Sequence, residues 1–130
     1  MTNFDQSTRD GDDAAFDREA ALEFVRHDVD FLEELVDAFG EYIPKTLNQI
    51  KDGLAASNAS VVAEAAHQIQ GAVSNFRALK AKSTARTLEE AAEDQRFSDA
   101  TELFAVLSKD LDQLHDELKR LIDELKSSNG

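Results

Sequence analysis

The chain has 130 residues, enough for one domain with one hydrophobic core, and it contains no cysteine, which excludes disulfides, thiolate nucleophiles and zinc–thiolate centres. The formal net charge of −13 argues against a nucleic acid or an anionic membrane surface as the partner, because both require a basic patch. No apolar stretch is long enough to span a bilayer and no signal-peptide pattern is present, so we expect a cytoplasmic protein.

The N-terminal part of the chain is acidic and aperiodic, which predicts a flexible tail over residues 1–13. A short helix is predicted over residues 14–26, and Asp28 and Asp30 are the two candidate N-caps of a second helix. Helically spaced apolar residues continue on both sides of Pro44. The proline therefore predicts a kink rather than a stop, because its ring crowds the carbonyl four residues earlier.

A turn over residues 53–58 leads into the third predicted helix, which ends near Leu79. Its apolar residues lie on one stripe at helical spacing: Val62, Ala65, Ile69, Ala72, Val73, Phe76 and Leu79. A shorter helix is predicted over residues 84–93, and a turn over residues 97–99 leads into the last one. The leucines of the last helix alternate four and three apart, as in a heptad seam: Leu107, Leu111, Leu114, Leu118, Leu121 and Leu125.

No segment of the sequence alternates between apolar and polar residues with a period of two, so no strand is predicted. The predicted fold is all-α: an antiparallel up-down-up-down four-helix bundle with an additional short N-terminal helix. We assign the bundle to residues 14–127 and a flexible end to residues 128–130.

His67 is predicted on the outer face of the third helix, roughly opposite the centre of the apolar stripe. Its neighbours on that face are mostly small, although a solvated face in so charged a chain would carry Lys and Glu. Gly71 lies one turn further on, and a helical glycine costs about 1 kcal/mol relative to alanine. We interpret this face as a docking surface, with a tolerated glycine beside an ordinary surface histidine as the alternative. The other residues assigned to it are Ala63, Glu64, Gln70, Ser74 and Ala78.

The segment AHQIQGAVSNF at residues 66–76 resembles the pattern of histidine phosphotransfer (Hpt) domains. That pattern has an alanine–histidine pair, an aliphatic residue two positions after the histidine, a lysine at the third position, a glycine at the fourth and small residues beyond. FLEEL at residues 31–35 and LEEAA at residues 88–92 resemble the second and fourth helices of the family, and the likeness covers about residues 16–125. The resemblance implies a phosphorelay intermediate in which His67 exchanges a phosphoryl group with the aspartate of a response-regulator receiver domain.

The resemblance also implies the partners, which are a receiver domain, a hybrid histidine kinase, or both. The magnesium ion would belong to the receiver, and we expect neither a metal nor another cofactor on this chain. A neutral imidazole nitrogen is a competent nucleophile near neutral pH. The sequence has no Gly-rich phosphate loop or P-loop pattern, so we expect a carrier rather than an ATP-dependent kinase. We expect a monomer, since the leucine seam is predicted to face its own bundle.

Two positions depart from the family pattern. Gln70 takes the place of the lysine, and an amide offers the phosphoryl oxygens only a neutral N–H donor. The hypothesis that follows is weaker electrostatic support for phospho-His67, with a longer lifetime expected after Gln70→Lys. Arg77, where the family often has glycine, is predicted about 15 Å along the helix from His67 and is interpreted as a solvated residue. The departures leave open a degenerate Hpt-like module that binds receivers or kinases without transfer.

The other titratable residues are interpreted as structural. His27 is assigned to the entry of the second helix, as a cap or surface residue, and His115 to the boundary of the leucine seam. Lys80, Lys82 and Arg86 form a basic cluster at the start of the fourth helix, which we interpret as a solvated patch, with contact to an acidic receiver surface as the alternative.

A di-iron site is the rival hypothesis from another class. Residues 64–67 fit the Glu-x-x-His motif of ferritin-like bundles, and residues 112–115 are a weak second copy with aspartate. Such a site requires both motifs to point into the bundle together with two more carboxylates. Glu64 and His67 are predicted to point away from the apolar stripe, so we prefer phosphotransfer and assign no metal site.

Overall fold

The computed structural model describes residues 15–129 of the chain, which form five helices and, over that range, no strand. The predicted all-α fold with a short N-terminal helix is confirmed, whereas the predicted tail over residues 1–13 lies outside the described residues. The helices are α1 (Arg18–Phe24), α2 (Val29–Ala55), α3 (Ala59–Ser74), α4 (Leu79–Glu93) and α5 (Phe97–Asn129).

Helices α2 to α5 form a ring of neighbours in which α2 packs on α3, α3 on α4, α4 on α5, and α5 on α2. Short turns join consecutive helices, so neighbours run antiparallel. The leucine seam of α5 lies at the centre of the core, where Leu107, Leu111, Leu114 and Leu118 are at most 1% exposed. Burying one leucine side chain contributes about 1.5–3 kcal/mol, so this seam is a main source of the bundle's stability.

Side-chain caps set the beginnings of the first three helices. Asp17, Asp28 and Asn58 each accept a hydrogen bond from the backbone N–H three residues later, at 3.0–3.2 Å. Of the two candidate N-caps of the second helix, Asp28 is therefore the one used. The cap at Asp17 also makes α1 shorter than the predicted 14–26, because the helix begins only at Arg18.

The first four helices end in the same kind of left-handed turn, with no glycine at the positions of positive φ. In each turn two backbone N–H groups bond back to the last helical turn, as Arg77 N does to Ser74 O at 3.0 Å and Ala78 N to Val73 O at 3.2 Å. This turn ends α3 at Ser74, so the predicted end near Leu79 is wrong. The residues with positive φ, between 52° and 62°, are Arg26, His27, Ser57, Arg77 and Gln95.

The boundaries of α4 and α5 also differ from those predicted. Because α3 ends early, Leu79 opens α4 and is 62% exposed instead of lying on the apolar stripe. The turn before α5 comes earlier than residues 97–99, and α5 begins at Phe97 and continues past residue 127 to Asn129. Helix α2 continues through Pro44, so the proline does not stop the helix, as predicted, while the kink stays a prediction. Over residues 15–129, no helix is both long and apolar enough to cross a membrane.

His115 lies half-buried where α5 meets α2, which confirms its predicted boundary position. A Cβ atom on Gly40 would come within 2.6 Å of His115 Nε2, closer than real Cβ contacts. The centroid of the imidazole lies 6.4 Å from that of Phe39. Gly40 is therefore required by the packing of this chain on itself.

Candidate functional site

His67 lies in the middle of α3 with its side chain 73% exposed. On the opposite side of the helix, Val62, Ile69 and Val73 are at most 1% exposed and fix α3 against the core. The predicted outward orientation of the imidazole is confirmed. The ring is thus accessible to another molecule while its backbone is held by the bundle.

Glu89 on α4 faces the imidazole of His67. Its Oε2 lies 3.3 Å from Nδ1 of His67, and its Oε1 accepts a hydrogen bond of 2.6 Å from Nε2 of Gln70. The Glu89 side chain is only 21% exposed, so it is less free to turn away than a surface carboxylate. A carboxylate at Nδ1 favours the tautomer that carries its proton there. The lone pair of the neutral ring then lies on Nε2, which becomes the nucleophilic atom.

Gln70 is half-buried, and its amide turns towards Glu89 rather than towards the open face. The same Nε2 lies 3.5 Å from the carbonyl oxygen of Ala66. Gln70 therefore holds the carboxylate that in turn contacts His67. Its amide N–H is already used within the site, which differs from the donor to an incoming group that the sequence alone predicts.

An open depression of about 390 Å³ lies beside the imidazole. Its lining residues come from α3 and the first turn of α4: His67, Gln68, Gln70, Gly71, Ser74 and Lys82. The Ser74 hydroxyl donates to the carbonyl of Gln70 at 2.7 Å. Apart from its chain neighbours and the backbone of its own helix, a Cβ on Gly71 would meet no atom within 4 Å, so the packing of the described chain does not require glycine at this position.

The predicted docking residues divide into three groups. Ala63 and Glu64 line a separate depression one turn earlier on α3, which also contains Glu93. Ala78 is 1% exposed, so its assignment to the outer face is wrong; the left-handed turn ends α3 before this residue and turns it into the core. The residues that the structure brings together around the ring are His67, Gln70, Gly71 and Ser74.

The remaining cations occupy different surroundings. Lys80 lies 3.6 Å from Asp110, which is buried and also accepts a hydrogen bond of 2.9 Å from Thr84. Arg77 lies in the turn after α3 rather than along the helix axis, so the predicted axial spacing from His67 does not apply. Its Nε is 3.8 Å from Asp17, and the side chain stays exposed.

Two residues of the site were missed from the sequence. Glu89 was not singled out because it lies on a different helix, 22 positions after His67. Lys82 was grouped with the solvated cations, although it lines the depression beside the ring. Both follow from the pairing of α3 with α4, whose register the sequence pattern does not specify. The sequence signal that could have located Glu89 is its position directly after Leu88, a buried residue of α4, because this places Glu89 at the edge of the buried face.

The di-iron hypothesis has no support in the structure. Within residues 15–129, no cluster of three or more His, Asp or Glu side chains is arranged to hold a metal ion. The two matching segments lie on α3 and α5, which are diagonal to each other in the bundle. His115 packs against Gly40, while Glu64 is exposed on the outside of α3.

Comparison with known proteins connects this arrangement to a family. Residues 34–128 match the family model described as Hpt domain, whereas no curated protein matches the sequence. The fold is similar to that of histidine-containing phosphotransfer protein B from Pseudomonas aeruginosa PAO1, with 20% identity and a TM-score of 0.79 over 86% of this chain and 97% of that one. It is also similar to the HPT domain of a sensor hybrid histidine kinase from Shewanella, with 16% identity and a TM-score of 0.63 over 85% and 95% of the respective chains.

Proposed function

We propose, because this chain belongs to the Hpt domain family, that His67 is the residue on which it carries a phosphoryl group. Hpt domains are histidine phosphotransfer intermediates of two-component relays and act as carriers rather than kinases. The observation that supports the assignment of His67 is its exposed ring, oriented by Glu89 through Nδ1 at 3.3 Å.

The other histidines have surroundings that suit structural roles. The chain has three histidines in all. His115 is half-buried against Gly40 and Phe39, so an approaching phosphoryl donor would meet packed side chains. His27 lies in the left-handed turn after α1, with a φ of 62°, where its backbone N–H bonds to Leu22 O at 2.7 Å. His67 is the one that combines exposure with an oriented ring.

The transfer step follows from this geometry. The Nε2 lone pair of His67 attacks the phosphorus of the receiver's aspartyl phosphate, and a P–N bond forms as the bond from phosphorus to the aspartate oxygen breaks. The aspartate leaves as a carboxylate, and the ring becomes a phosphorylated imidazolium that keeps its proton on Nδ1. The Glu89 carboxylate faces this positive charge and stabilises it. The reverse sequence returns the phosphoryl group to a receiver.

Phosphoryl transfer depends on in-line positioning and charge neutralisation more than on covalent assistance from the protein. This chain contributes a fixed ring on a rigid helix, and the open space beside Gly71 allows a second protein to approach it closely. The partner we propose is a receiver domain, free or within a hybrid histidine kinase, that brings the aspartate and its magnesium ion.

A neighbouring apolar groove supports the docking of a whole domain at this face. The groove has a volume of about 180 Å³ and lies between α2 and α3. Leu35, Phe39 and Tyr42 contribute from α2, and Ala72 contributes from α3, directly after Gly71. A receiver that reaches His67 therefore has apolar surface to bury beside the reacting atoms.

The experiment is incubation of the protein with a receiver domain carrying labelled aspartyl phosphate. We expect an acid-labile label on the wild type, none on His67→Gln, and the wild-type amount on the control variant His115→Gln. A label that persists on His67→Gln would overturn the assignment. Receiver binding without any label on the wild type would instead support the degenerate module that Gln70 leaves open.

A further inference from the structure

Three basic residues in the first half of α4 differ in what they contact. Lys80 pairs with Asp110 at 3.6 Å, and Arg86 pairs with Glu90 at 3.5 Å. Lys82 makes no ion pair or side-chain hydrogen bond with any part of the chain between residues 15 and 129, and it lines the depression beside His67. Its ammonium group is therefore available to a ligand of that depression.

The charges around the imidazole define what a phosphoryl group would meet. A phosphoryl group brings about 1.5–2 negative charges at neutral pH. The nearest fixed charge is the Glu89 carboxylate, which favours the ring cation but repels the phosphoryl oxygens. The Gln70 amide already donates to Glu89 at 2.6 Å, and the Ser74 hydroxyl to the Gln70 carbonyl at 2.7 Å. Of the residues that line the depression, Lys82 is the cation that can offset this negative charge.

We propose that Lys82 binds the phosphoryl oxygens of phospho-His67 and supplies the positive charge that Gln70 does not. The inference rests on the proposed function of His67 and adds the residue that stabilises the phosphorylated state. The flexible aliphatic side chain of Lys82 lets its ammonium group follow the phosphoryl group during transfer. The charge would thus come from α4, outside the segment that contains the histidine.

The measurable consequence is the distribution of phosphoryl groups between receiver and carrier. A cation beside the phosphoryl group lowers the free energy of phospho-His67 but leaves that of the receiver unchanged. Exposed ion pairs change an equilibrium by up to about fivefold. For Lys82→Gln we therefore expect the ratio of phospho-carrier to phospho-receiver at equilibrium to fall about threefold to fivefold.

The experiment equilibrates labelled receiver with wild type, Lys82→Gln, Lys82→Arg and the matched control Lys119→Gln, and quantifies the label on each protein. Lys119 is an exposed lysine on α5, the helix diagonal to α3. We expect Lys82→Arg and Lys119→Gln to keep the wild-type ratio. The effect of Lys82→Gln should shrink as salt rises from 0.1 M to 1 M, because the Debye length falls from about 10 Å to about 3 Å.

Two results would overturn the inference while leaving the proposed function intact. One is a wild-type ratio for Lys82→Gln with His67 still labelled, and the other is an equal decrease for Lys82→Gln and Lys119→Gln. A decrease that Lys82→Arg fails to restore and that salt does not change would indicate a packing role and would also contradict it. A wild-type protein that takes no label would contradict the proposed function itself.

Discussion

His67 and His115 each lie next to a helical glycine, but one glycine faces open space and the other faces a packed side chain. At Gly40, an added Cβ would come within 2.6 Å of the His115 ring. Around Gly71, an added Cβ would find nothing within 4 Å in the described chain apart from its two chain neighbours and the backbone of its own helix. In the first region the chain fills the space left by its own glycine. In the second region that space stays open on the surface, beside an exposed imidazole.

The difference teaches how to interpret a glycine inside a helix. A glycine costs helix stability in both places, so each needs a compensating contact. At Gly40 the compensation is internal, because the imidazole packs against the α2 backbone and Phe39. For Gly71 the described structure contains no such contact, which favours compensation by a partner protein.

The largest effect on stability should appear at the contact between Gly40 and His115. We expect Gly40→Ala to destabilise the protein by up to about 2 kcal/mol, because overpacking costs about 1–3 kcal/mol and the helix preference of alanine offsets about 1 kcal/mol. In a His115→Ala background the same change should become stabilising by about 1 kcal/mol. Chemical denaturation of the four variants of the double-mutant cycle measures the coupling. Equal effects of Gly40→Ala in both backgrounds would contradict the contact.

Glu89 provides the second test, since it orients the open histidine without filling the space beside it. We expect Glu89→Gln to slow single-turnover phosphotransfer about tenfold, the lower end of the roughly 10–100-fold loss seen when a metal-ligating histidine loses its orienting carboxylate. Its neighbour Glu90, whose ion pair within residues 15–129 is with the exposed Arg86, is the matched control. Glu90→Gln should transfer at the wild-type rate. Equal transfer rates for Glu89→Gln and Glu90→Gln would contradict the orienting role of Glu89.

The smallest effect concerns the open glycine itself. We expect Gly71→Ala to raise the free energy of unfolding by about 1 kcal/mol, because alanine favours the helix and meets no obstacle there. The longer side chain of Gly71→Gln should leave the fold intact but slow transfer from the receiver. Denaturation and transfer kinetics on the same samples separate the two effects. Normal transfer by Gly71→Gln would show that no partner approaches this position closely.

The sequence predicted those parts of the fold that depend on local periodicity. The stripe of α3 and the leucine seam of α5 place apolar residues at helical spacing, and this spacing predicts their burial, except for Leu79, which lies beyond the end of α3. The sequence also narrowed the cap of α2 to Asp28 or Asp30, and the structure shows that Asp28 is the one used. The exposure of His67 follows from the same periodicity, since it lies opposite the stripe.

The end of α3 and the partners of His67 were not predictable from periodicity. The left-handed turn after α3 has Arg77 at its positive-φ position, and an arginine does not predict such a turn as a glycine would. Because the turn ends the helix, Ala78 lies in the core instead of on the outer face. Glu89 and Lys82 reach the site through the packing of α3 on α4. Their placement depends on the register between two helices, which is set by contacts distant in sequence.

The left-handed turns that end the first four helices have a practical consequence for protein engineering. Each turn contains at least one non-glycine residue in the left-handed conformation, which costs about 1–2 kcal/mol. A glycine at that position would remove this cost, but the greater freedom of glycine in the unfolded chain would offset part of the gain. Ser57 and Gln95 lie at corners of the bundle and outside the depression around His67. Heat tolerance and signalling can thus be adjusted at separate positions of the same small domain.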